Sequence, residues 1–329
     1  MSHDSMNHAK HSCARVSNRS RLQFFGAALL ALSGIAGPVS RSAVAGEDRL
    51  NVAATTGQVG DLLRNIGGDR VSVTTLMGPG VDPHLYKASE QDVIALIDSD
   101  AIFYQGLHLE GKLGEVLEQL GQRRPVTAVG DGIPPDRLTT PEDFEGNPDP
   151  HVWFDPRLWA FCADAAATAL ATIDPDGASS HAERAESYKQ QLDEVHAWAT
   201  TALGAIPDQQ RVLVTAHDAF GYFGLAYDIE VVGLQGISTS TEAGIRDVQR
   251  IADLLVERQV PTIFVETSVP RRTIEAVQVA ARDRGWEVSI GEPLYSDALG
   301  DSDTPEGTYL GMFHYNVETI VAGLKGTTA

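Results

Sequence analysis

The 329-residue chain is 43% hydrophobic and 21% charged, which is ample for a folded core and long enough for two domains. Its 45 acidic residues outnumber 25 basic ones, for a formal net charge of -20. That sign makes nucleic acid a poor partner and suits general solubility better than any specific cation chemistry.

The first 45 residues carry Lys10, Arg15, Arg19, Arg21 and Arg41 against the single acid Asp4. An apolar run from Leu22 to Val39 follows, broken by Gly26, Ser33, Gly34 and Pro38, and Ala43-Val44-Ala45 supplies a small-residue cleavage site. This order predicts a cleavable secretory signal over 1–45, and a periplasmic destination. Its removal takes away five positive charges and one negative, leaving about -24. No cysteine closely follows the apolar run, which argues against a lipid anchor. Cys13 leaves with the leader, and Cys162 then stands alone in an Ala-rich helical stretch, so no intrachain disulfide is expected. No later segment is long and apolar enough to span a bilayer.

Along the remainder, short β-branched runs alternate with helical patterns. Strands are predicted at 50–55 and 71–76, with a helix over 59–66 between them that closes at Gly67-Gly68. Ser89 and Asp92 form a capping-box pattern opening a helix through Ile97, and further strands follow at 101–104 and 126–129. The Pro- and acid-rich stretch 133–150 reads as a mobile surface loop, followed by a helix at Pro156. Tyr188, Leu192, Val195, Ala199 and Leu203 recur at three- and four-residue spacing, which predicts one long amphipathic helix over 179–206. A second series then alternates strands at 211–215, 229–232, 262–265 and 287–290 with helices at 219–226, 242–258, 271–284 and 308–324. The expected fold is α/β: two similar lobes (46–178 and 208–329), each a mostly parallel sheet flanked by helices, joined by a linking helix over 179–207.

Seven histidines lie beyond the leader, and three stand where an element ends or a loop meets a helix. His84 lies in a turn-rich loop after a strand, His151 in Asp149-Pro-His-Val-Trp-Phe-Asp155, and His217 ends Val212-Leu-Val-Thr-Ala-His217. Asp297 occupies the loop after the last strand. In parallel sheets ligands gather outside the carboxyl ends of strands, so distant residues can converge there. Three imidazoles and one carboxylate make a sound ligand set for a divalent transition metal. On spacing alone, each histidine reads more readily as a capping or hydrogen-bonding residue than as a ligand.

The phrases around these positions resemble the solute-binding receptors of bacterial zinc/manganese ABC transporters, the metal-binding cluster A-I family. They are GPGVDPHLYKASEQDV at 78–93, GLHLEG at 106–111, DPHVWFDP at 149–156, TAHDAFGYFGLAY at 215–227, FVETSV at 264–269, LYSDALGD at 294–301 and TPEGTYLGMFHYNVETIV at 304–321. The resemblance implies a metal buried between lobes, with His84 and His151 from the first and His217 and Asp297 from the second. Glu266 is expected to orient or neutralise the site, and His108 is the weaker candidate for such a role. Asp155 and Asp218 are read as helix caps, and Trp153 and Phe220 as apolar walls. His181 and His196 are read as solvent-facing, and His314 as a structural histidine.

The function so implied is capture of one Zn2+ or Mn2+ in the periplasm, by a monomer, and its delivery to an ABC permease of the inner membrane. Three nitrogens and a histidine at the third position favour zinc, whereas the loop at 134–149 lacks the histidines common in zinc-dedicated relatives and keeps manganese close behind. A metal-dependent hydrolase would use similar ligands, but catalytic zinc keeps a position open for water, and no HExxH, GxSxG or Walker pattern occurs. No enzyme is therefore expected. A surface adhesin is disfavoured by the missing anchor.

Overall fold

The computed structural model describes residues 49–326, so the expected leader over 1–45 lies outside the described residues. The chain opens with four parallel strands, β1 (Leu50–Ala54), β2 (Val71–Thr75), β3 (Ala101–Tyr104) and β4 (Val126–Ala128), laid side by side as β2-β1-β3-β4. Val52 sits in the middle, paired with Val73 on one side and Ala101 on the other. Parallel neighbours need crossovers, and these are α1 (Gly57–Gly67), α2 (Glu90–Asp98) and α3 (Gly114–Gly121). The capping box forms as expected: the Ser89 hydroxyl accepts the Asp92 N–H, and the Asp92 carboxylate accepts the Ser89 N–H. Helix α3 has no counterpart in the sequence reading.

Helix α4 (Pro156–Ile173) starts with proline in its first turn, where no N–H is needed, and Asp155 accepts the Arg157 N–H as its cap. Helix α5 (Ala178–Gly204) is the predicted long helix. It lies against α1, α4 and the last helix, so it is packed along its length. His181 belongs to its buried stripe with Ala185, Tyr188, Leu192, Val195, Ala199 and Leu203, against the expectation that it faces solvent. Its Nε2 is 3.0 Å from the Asp174 carboxylate, which also pairs with Arg70. His196, expected in solvent as well, is half-buried with Nδ1 3.0 Å from the Tyr227 hydroxyl.

The second series comprises β5 (Val212–His217), α6 (Gly221–Tyr227), β6 (Glu230–Gln235), α7 (Ile245–Arg258), β7 (Thr262–Ile263), α8 (Arg272–Asp283), β8 (Ser289–Ile290) and α9 (Tyr309–Leu324). β5 pairs with β6 and β7 with β8, both in parallel, and the Phe264 N–H donates to Val214 O at 2.9 Å between the two ladders. These are the expected parallel sheets with helices against them. Asp218 does not cap the following helix, because α6 starts later, at Gly221, with Phe220 in the cap position.

One apolar cluster runs from Val52 and Leu62 through Trp159 and Leu192 to Phe313 and Ile320, and so draws on both halves of the sequence. A second lies under α7 and α8, around Ile251, Leu255, Ile274 and Val277. Each such side chain contributes about 1.5–3 kcal/mol by leaving water. Cys162 is buried in the first cluster. The loop over 133–150 is anchored rather than free: the Thr139 N–H donates to the Tyr222 hydroxyl (3.1 Å) and that hydroxyl donates to Asp149 O (3.2 Å). No helix among the described residues is long and apolar enough to cross a membrane.

Candidate metal centre

His217 is the last residue of β5, fixed by the strand that ends on it. Its backbone N–H donates to Glu266 Oε1 at 2.8 Å, and Glu266 Oε2 stands against its ring Nδ1. Glu266 follows β7 and bridges to Leu294, so the adjacent strand delivers the carboxylate expected to orient the site. His151 is braced in the same way. Its backbone N–H (3.0 Å) and its Nδ1 (2.7 Å) both meet Asp149 Oδ1, the residue two places before it. Pinning Nδ1 to a carboxylate fixes the tautomer and leaves Nε2 as the donor atom.

His84 arrives on the loop after β2, and its backbone N–H donates to Asp82 Oδ1 at 2.8 Å. Asp297 lies beyond β8. The carbonyl of its neighbour Ser296 accepts from Trp153 Nε1 (3.1 Å) and Gln58 Nε2 (3.3 Å).

These four residues converge. One donor atom from each of His84, His151, His217 and Asp297 lies within 4.8 Å of the other three, and all four side chains are buried. His84 Nε2 and His151 Nε2 are 3.3 Å apart, and Asp297 oxygens stand 3.3 Å from His151 Nε2, 3.3 Å from His217 Nε2 and 3.8 Å from His84 Nε2. Tetrahedral ligands at ordinary zinc distances are separated by roughly 3.3 Å, so this spacing suits a four-coordinate cation. His217 Nε2 and both Asp297 oxygens are sealed from solvent without a hydrogen bond, a costly state for polar atoms unless a cation gathers them.

The electrostatics divide the imidazoles. Burial pushes His84 down to about 3, so it stays neutral. Burial also opposes charging His151, but Asp149 and Asp297 outweigh it and raise that group to about 9. His217 is raised well above its ordinary range because Glu266 and Asp297 overcome the same burial. Asp297 is resisted by burial yet held well below the usual carboxylate range by His217 and His151. Without a metal, protons on the two braced rings supply the positive charge that the buried carboxylates require.

The remaining expectations divide. Trp153 packs its ring 5.3 Å from His151, and Phe220 stacks on Phe154 at 4.1 Å, so both are walls. His108 is exposed and the buried cluster does not include it. Gly106, Leu107 and His108 form a left-handed turn with φ of 80°, 53° and 68°, which swings the imidazole outward. The buried Glu110 carboxylate holds that turn by accepting the Gln105 and Gly106 N–H groups and the Thr55 hydroxyl. His314 is exposed and packs at a tilt against Trp198. Asp149 as the brace of His151 and Asp82 as the holder of His84 were not anticipated. The Asp-Pro-His spacing at both places was the available signal, since an aspartate two residues ahead can accept the histidine N–H.

A parallel α/β frame that gathers three imidazoles and a carboxylate from three loops and a strand end has the architecture of a receptor for one transition-metal cation. Residues 52–323 match the family described as ZnuA, zinc-uptake complex component A, periplasmic, and the chain belongs to that family. The manganese-binding lipoprotein MntA of Bacillus subtilis is 46% identical over 279 residues, covering 85% of this chain and 91% of the relative. The zinc-binding protein TroA of Treponema pallidum is 46% identical over 273 residues, covering 83% and 88%. The solved structure of periplasmic zinc-binding TroA from Treponema pallidum superposes with a TM-score of 0.82 at 45% identity, over 84% of this chain and 99% of that one. These relatives are binding proteins, not enzymes, in line with the expectation from sequence.

Proposed function

We propose that the chain captures one divalent transition metal through His84, His151, His217 and Asp297, and delivers it to an ABC permease of the inner membrane. The observation that supports this reading is the sealed cluster itself, whose unpaired buried donor atoms lie at coordination spacing. Relatives of equal identity are named for manganese in one case and zinc in the other, so kinship does not choose between them. The donor set favours zinc. Three nitrogens and one oxygen in a closed four-coordinate shell suit Zn2+, whereas Mn2+ calls for more oxygen ligands. Manganese ranks second, entering by bidentate use of Asp297.

The chain acts as a monomer in the periplasm, released there by cleavage of the leader. Its two α/β lobes, 46–178 and 208–329, are tied together by the metal, which stabilises the closed form by binding it better than the open one. Docking on the permease releases the metal by drawing the ligands apart.

Elemental analysis of the protein purified from its native periplasm tests the cargo. One zinc per chain is the expected result. Manganese at that stoichiometry reverses the preference, and a chain free of any transition metal rejects the receptor reading.

A further inference from the structure

A single side-chain hydrogen bond spans 157 residues of sequence beside the cluster. The Thr239 hydroxyl donates to Asp82 Oδ2 at 2.6 Å, while Asp82 Oδ1 accepts the His84 N–H at 2.8 Å. One carboxylate therefore holds a cluster histidine with one oxygen and a residue from the far half of the chain with the other. Thr239 is buried, in the turn that follows β6. That turn is built to present it. The Ser238 hydroxyl donates to Ser240 Oγ and accepts the Ser240 N–H, and Gln235 Nε2 donates to Thr241 O. A short bond to a charged acceptor in a partly desolvated place is among the stronger kinds.

His84 is where such a tether matters. His151 and His217 each have a carboxylate at Nδ1, whereas among the described residues none pairs with Nδ1 of His84. Its backbone, gripped by Asp82, is what aims the ring. Asp82 in turn is fixed from across the molecule by Thr239.

We propose that Thr239 is a positioning residue that, through Asp82, latches the His84 loop over the cluster and so sets how long a captured metal is retained. This rests on the metal-capture reading above. The latch touches no ligand atom, so its loss changes the rate of release far more than the rate of capture or the identity of the ligands.

The test measures zinc release from the full chain into excess chelator by stopped flow. Thr239→Val removes the hydroxyl and keeps the shape, Thr239→Ser keeps the hydroxyl, and Asp82→Asn completes a cycle with the valine variant. Release about tenfold faster in T239V is expected, the scale of one lost hydrogen bond to a charged group. T239S should stay within about twofold of the parent. The double variant should release little faster than D82N alone, because both substitutions break one linkage. In the cobalt-loaded T239V protein the visible absorption should match the parent, as the ligands are the same. Tight zinc binding by the parent with unchanged release in T239V overturns the latch alone, as does equal acceleration by T239V and T239S. A parent chain that holds neither zinc nor manganese removes the capture reading and the latch with it.

Discussion

The loop that carries His84 and the two positions that carry His151, just ahead of α4, and His217, at the end of β5, present the same imidazole in opposite conditions. His151 and His217 are completely buried, and each has both its backbone N–H and its Nδ1 close against one carboxylate residue. His84 has a carboxylate at its backbone N–H but none at Nδ1, and keeps 5% of its surface exposed. The braces raise the proton affinity of the first pair, while burial without a brace lowers that of His84. On the capture reading, a cation arriving at the cluster would displace protons from the braced pair but find His84 already neutral. One side of the centre would then set the affinity and its proton cost, and the other would meet the metal without a proton in the way.

The largest effect that distinguishes the two sides comes from removing a ring. His217→Ala should lower zinc affinity by more than about a hundredfold, beyond the loss that follows from removing a mere brace. It also leaves the Glu266 carboxylate buried without its imidazole. His84→Ala should weaken binding less and mainly speed release, because three ligands and both braces survive. Calorimetric titration of zinc into the two variants checks the ranking, and equal losses would erase the distinction.

Removing a brace comes next. Glu266→Gln and Asp149→Asn keep the side-chain size but take the charge from Nδ1, and each should cost 10- to 100-fold in zinc affinity, the usual range for such partners. Direct titration against a competing chelator reads this. An affinity within about twofold of the parent in both would mean that the carboxylates serve folding alone.

Protons supply the third and milder lever. His151 is raised from its ordinary value to about 9, so at neutral pH the metal-free ring is charged and binding must expel its proton. Zinc affinity should therefore rise with pH, by about tenfold per unit for each proton displaced, and level off only above about 9. The stability of the metal-free chain runs the other way. A raised folded value contributes fully below the unfolded histidine range near 6.5 and is lost as pH climbs through about 9. The metal-free melting temperature should fall from pH 7 to pH 9 while zinc affinity increases. A flat affinity between those values contradicts the braced-ring account.

How much of this could be read from the sequence depends on the range of the interactions. β-branched runs and cap residues are local, so strand β3 and the Ser89 capping box stand where their residues put them. Helix α3 is only two turns between glycines, too short for periodicity to show. His181 is a different case, since the stripe that begins at Tyr188 extends backward at the same spacing through Ala185 to His181. The signal was there, and the polarity of histidine overrode it. The four clustered residues were reachable because His217 ends a strand, His84 and Asp297 lie in loops after strands and His151 lies where a loop meets a helix, and the motif resemblance selected three of seven histidines and added Asp297. Nothing local marks Thr239, because its partner is brought to it only when both halves of the chain have folded.

The smallest effect concerns Asp297, which follows β8 yet is steadied by residues from the first half of the chain. Trp153 Nε1 and Gln58 Nε2 both donate to the carbonyl of Ser296, its neighbour, and the Tyr309 hydroxyl donates to Trp153 O at 2.7 Å. In Trp153→Phe the ring still packs beside His151, but the N–H is lost. Ser296 O keeps the Gln58 bond, so no acceptor is orphaned, and the cost stays near the 0.5–1.5 kcal/mol net value of an ordinary hydrogen bond, about a two- to tenfold loss in zinc affinity. Denaturant unfolding and zinc titration of this variant separate the two uses of the indole. If stability drops while affinity holds, the indole only packs. If affinity falls by a hundredfold, the aim of Asp297 depends on Trp153 as strongly as His217 depends on Glu266, and the centre has three braced ligands rather than two.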